Sequence, residues 1–78
     1  MKIITKKQTR KAIMQIAANY IIAEDALKKA DLPFDNFSDC VNHLTDNSIS
    51  LAYIVGGDDG IRILNEIIDK YQTIKNSK

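Results

Sequence analysis

The chain has 78 residues, 45% of them hydrophobic, which allows one small domain with a packed core and argues against disorder. The formal net charge is +1. The single Cys40 excludes an internal disulfide, and no apolar run reaches the roughly 18 residues of a membrane span.

The near-neutral total hides a lopsided distribution. Residues 1–23 carry +5, residues 24–60 carry −6 and residues 61–78 carry +2. A basic end on an acidic body can steer an acidic partner or nucleic acid to one side, and it can equally favour head-to-tail self-association. The start lacks the long apolar stretch of a signal peptide, so the expected location is cytoplasmic, with no membrane contact. Abundant Ile, Lys and Asn fits an AT-rich bacterial or phage genome.

In chain order, Thr5-Lys6-Lys7-Gln8 has the spacing of a capping box. It predicts a long helix over residues 6–30, because Ile13, Ile16, Ala17, Tyr20 and Leu27 recur at 3–4 spacing and Pro33 stops the run. Its apolar stripe begins only near Ile13, so residues 1–11 read as a projecting basic arm. A second apolar strip, Met14, Ala18, Ile21 and Ile22, lies off the main stripe. A helix apolar on two sides either sits at the centre of its fold or buries one side against another chain.

Asp35 or Asn36 can cap a second helix, whose stripe is Phe37, Cys40, Val41 and Leu44, with Phe34 stapling its start. Thr45-Asp46-Asn47-Ser48 reads as a turn. Residues 49–55 suit a strand by composition. No good second strand exists to pair with them, so a short buried third helix is expected. All three glycines fall in Gly56-Gly57-Asp58-Asp59-Gly60. There a glycine should end one helix and Asp58 or Asp59 cap the next. Ile61, Leu64, Ile67, Ile68, Tyr71 and Ile74 stripe a last helix, with residues 76–78 frayed. The expected fold is all-α: residues 1–78 as one compact four-helix domain, with a long first helix and a short buried third.

Candidate chemistry is sparse. Gly56-Gly57-Asp58-Asp59 resembles the Gly-Gly-Asp/Glu-Glu-Phe signature of diguanylate cyclases. Gly60 stands where Phe belongs, and that fold needs about twice this length, so nothing is carried over. Leu51, Ala52, Val55 and Gly56 match the start of a helix-turn-helix, but Asp58 and Asp59 would then repel the DNA backbone. Cys40 and His43 supply two metal ligands and no more, so neither metal nor cofactor is expected; Cys40 reads as a buried, inert thiol. The adjacent acids Glu24-Asp25 and Asp58-Asp59 do not converge, so no catalytic residue and no enzyme activity are expected.

The sequence therefore suggests a small non-catalytic regulator or inhibitor that docks on another protein or on itself. The contact would be Met14, Ala18, Ile21 and Ile22, with Arg10 and Lys11 as a basic rim. The alternative is nucleic-acid binding through Lys6, Lys7, Arg10 and Lys11.

Overall fold

A computed structural model describes residues 4–76. It shows two helices and, among the described residues, no strand: α1, Lys6–Lys29, and α2, Phe34–Asn76. The architecture is a helical hairpin and not the four-helix domain expected from the sequence.

Local chemistry explains the limits of α1. The Gln8 backbone amide donates to Thr5 Oγ1 at 3.1 Å, and the Thr5 amide donates to Gln8 Oε1 at 2.9 Å. Both halves of the capping box are thus made, satisfying two amides that the first helical turn leaves orphaned. At the other end Ala30 is still right-handed, and Asp31 then adopts a positive φ of 54°. Pro33 follows, and its carbonyl accepts the Phe37 amide at 2.9 Å as α2 begins. The connection between the helices is four residues long, which places α1 and the start of α2 side by side.

The helix expected near residue 36 starts at Phe34, so neither Asp35 nor Asn36 caps it; Asp35 lies in its first turn. The expected turn at residues 45–48 does not form. Thr45 Oγ1 donates to the Val41 carbonyl at 2.9 Å, which satisfies the hydroxyl without breaking the helix. Ser48 is buried one turn further along the same face, and Ala52 one turn beyond that. This stripe of Val41, Thr45, Ser48 and Ala52 carries the helix through its polar residues, so residues 49–55 continue α2 and are no separate element.

Gly57 breaks the direction of α2. Its φ of 63° and ψ of −146° lie outside helical space. A straight helix of 43 residues would span roughly 64 Å, yet the longest dimension of the protein is 44 Å. Residues 58–76 therefore turn back beside residues 34–56. The core sits in this bend. Ile13 and Ala17 come from α1, Ala52 from before the bend and Leu64 from after it. Ile16, Ile49, Val55, Ile61, Ile63, Ile67 and Ile68 pack around them. Tyr20 closes the far side, its hydroxyl donating to Glu24 Oε2 at 3.1 Å and lying 3.4 Å from Thr45 Oγ1.

Gly57 is the last residue before the second arm, so Asp58 and Asp59 fall in that arm's first turn. Among the described residues neither side chain bonds a backbone amide, so they do not cap it as expected. They still complement the positive end of its dipole. Asn76 is the last residue of α2; residues 77 and 78, the rest of the segment expected to fray, lie outside the described residues.

Candidate functional site

The two apolar sides of α1 have different fates. Ile13, Ala17 and Tyr20 are buried, with Ile16 half-buried beside them. On the opposite side Met14 is 55% exposed and Ile22 is 67% exposed, with Ala18 exposed between them. Met14, Ala18 and Ile22 follow at i, i+4, i+8 and form one straight strip, which Lys7 and Lys11 extend toward the N-terminus and Asp25 toward the C-terminus. Among the described residues, no group of the core covers this strip.

The geometry divides the sequence-predicted contact set. Met14, Ala18, Ile22 and Lys11 share the solvent side. Ile21 is half-buried and lines a depression of about 240 Å³ with Glu24, Lys28, Tyr71, Gln72 and Lys75. Arg10 also turns away, toward residues 58–76.

Arg10 belongs to a second feature. A groove of about 610 Å³ runs between the start of α1 and the bend of α2. Lys6, Lys7, Arg10 and Arg62 supply its cations, Asp59 its one acid, and Ile4, Gly56 and Ile63 part of its apolar wall. Arg62 is engaged, at 3.0 Å from Glu66 Oε1 and 3.6 Å from Asp59 Oδ1. Lys6, Lys7 and Arg10 have no ion pair among the described residues, so their charge stands uncompensated. Arg62 escapes a sequence reading because it lies 52 residues from Arg10 and only the bend brings the two to one groove. Lys11 is not part of the groove's wall; its spacing places it on the apolar strip.

Cys40 is exposed, contrary to the buried thiol expected. The buried face of α2 runs through Val41, Thr45 and Ser48, which leaves Cys40 at its edge. His43 Nδ1 lies 2.8 Å from the Asp39 carbonyl oxygen, one turn back on its own helix. No group of three or more metal-ligating side chains exists among the described residues. Phe34 is 80% exposed and so staples nothing into a core. No helix among the described residues is long and apolar enough to cross a membrane. Compared with protein-family models, curated proteins and solved structures, the chain matches no family, no relative and no fold neighbour.

Proposed function

We propose that the protein is a small non-catalytic interaction protein, regulatory or inhibitory in role, which docks through the solvent side of α1. The observation that carries this reading is the exposure of Met14 and Ile22 on a helix face that the protein's own core leaves uncovered. An aliphatic side chain moved from water into an interface gains on the order of 1.5–3 kcal/mol, and Lys11 beside the strip adds steering at the rim. A photo-crosslinking residue placed at Met14 or Ile22 should form a discrete adduct, whereas one at exposed Lys70 should not. Equal labelling from all three positions would refute the reading.

A second reading rests on the groove. Lys6, Lys7 and Arg10, uncompensated and joined there by Arg62, suit the phosphates of a nucleic acid. A gel shift that weakens steeply with salt, and is lost on Lys6, Lys7 and Arg10→Ala, would support it; no shift at low salt would exclude it.

A further inference from the structure

We infer that the strip on α1 is covered by the same strip of a second copy, in an antiparallel, two-fold-symmetric dimer centred on Ala18. This inference rests on the reading that the solvent side of α1 is a docking face, and it names the occupant.

Two global measures say that the isolated chain leaves much surface unburied. It exposes 6232 Å², against roughly 4,800 Å² for a compact monomer of its 8.8 kDa mass. Its radius of gyration is 13.8 Å, against about 11.5 Å for a compact chain of this length. The surplus, roughly 1,400 Å², exceeds the about 800 Å² that a standard protein–protein interface removes from each partner, so it leaves room for one.

The order of residues along the strip selects a copy of itself. With a two-fold axis at Ala18, the two small alanines meet where the helices approach closest, and a short side chain is what an axial separation of about 8 Å requires. One step outward on each side, Met14 faces Ile22 of the second copy. One step further, Lys11 faces Asp25 of the second copy, twice in the dimer. Asp25 is already paired with Lys29 of its own chain at 2.8 Å, so in the dimer it is shared between that lysine and the Lys11 it faces, and Lys7 comes opposite Lys29 as a like-charge pair at the ends of the strip. Turning one helix over to make the pair parallel would set Lys11 against Lys11 and Asp25 against Asp25. Like charges placed opposite each other disfavour that arrangement. Apolar centre, small residue on the axis and opposite charges at matching distances therefore agree on one geometry.

The full chain with Cys40→Ser, which removes the exposed native thiol, is compared with the same chain carrying in addition Ala18→Cys or, as an off-face control, Lys70→Cys. Sedimentation equilibrium at tens to hundreds of micromolar should show a dimer. Mild oxidation should crosslink the Ala18→Cys protein to a covalent dimer and leave the Lys70→Cys protein largely uncrosslinked. Ile22→Asp should yield a monomer with an unchanged helical circular-dichroism spectrum, since Ile22 is outside the core. Lys11→Asp and Asp25→Lys should each weaken the dimer on the order of tenfold, and the double exchange should restore most of the loss. A monomer at the highest concentration overturns the dimer, as does a dimer that Ile22→Asp leaves intact or that Ala18→Cys does not trap. In the first case, a discrete adduct from Met14 or Ile22 to a different protein would leave the docking face standing with another occupant.

Discussion

Gly60 lies against Ala52 so closely that a Cβ added to it would overlap the Ala52 carbonyl oxygen. The two residues are eight apart in one helix and would stand roughly 12 Å apart were that helix straight. Their contact is the point at which the second arm of α2 folds onto the first, and Ile13 of α1 lies next to it.

Gly60→Ala should therefore be among the most damaging single methyl additions in the chain. The obstacle is backbone, which cannot rotate away. Overpacking of this kind costs about 1–3 kcal/mol, or a fall in Tm of about 4–8 °C per kcal/mol for a domain of this size. Thermal unfolding followed by circular dichroism measures it. An unchanged Tm would mean that the arms do not approach as closely as described.

Gly57 differs, because a Cβ there meets nothing within 4 Å. Its constraint is the backbone alone. The φ of 63° combined with a ψ of −146° lies close to a region that only glycine populates freely, and it is not the left-handed helical region that asparagine tolerates. Gly57→Ala should cost about 1–3 kcal/mol, and Gly57→Val at least as much. Gly57→Asn should be no better than Ala, whereas at a common left-handed helix end it would be. Denaturant midpoints of the three variants decide the matter.

Core and strip should respond oppositely to truncation. Leu64 is 1% exposed at the junction of both helices, so Leu64→Ala should cost about 2–5 kcal/mol. Ile22→Ala, on the solvent side of α1, should change the stability of the monomer by less than about 0.5 kcal/mol. Urea unfolding at low protein concentration, where association is negligible, compares them directly.

The pair of Asp25 and Lys29 sets a small dependence on pH. The hydrogen bond from the Lys29 ammonium, and then its charge, holds the Asp25 carboxyl below the ordinary aspartate value. The same bond, and then the Asp25 charge, raises Lys29. A carboxyl with a depressed folded pKa contributes stability above its unfolded pKa and loses it as pH falls through the folded value. A raised lysine contributes below its unfolded pKa and loses the contribution as pH rises through the folded value. Asp25→Asn should therefore lower Tm slightly at neutral pH. The difference from wild type should shrink as pH falls through the depressed folded pKa and vanish once the carboxyl is protonated in both states. A difference that persisted in acid would assign the effect to packing.

Much of this molecule is written locally. The capping box of Thr5 and Gln8, the end of α1 before Pro33 and a backbone event among the glycines all depend on residues a few positions apart, and each follows from the sequence. So does the doubly apolar character of α1, whose two sides Ile13 and Met14 exemplify. What sequence could not settle is where local signals conflict with burial. Thr45-Asp46-Asn47-Ser48 has the composition of a turn, yet placing Ser48 and Ala52 toward the core keeps those residues helical and merges three expected helices into one bent one. Cys40 is exposed because the buried stripe of α2 runs through Val41 and Ser48 instead, and that stripe is defined only by what α1 presents to it. The bend, equally, unites Arg10 with Arg62 and separates Ile21 from Met14 and Ile22. The sequence alone thus determined the helix ends and the glycine corner, whose causes are bonds and torsions within a turn or two. Tertiary structure decided helix continuity and the makeup of each face, because the free energy of burying a side chain outweighs the few tenths of a kcal/mol by which most residues prefer one local conformation.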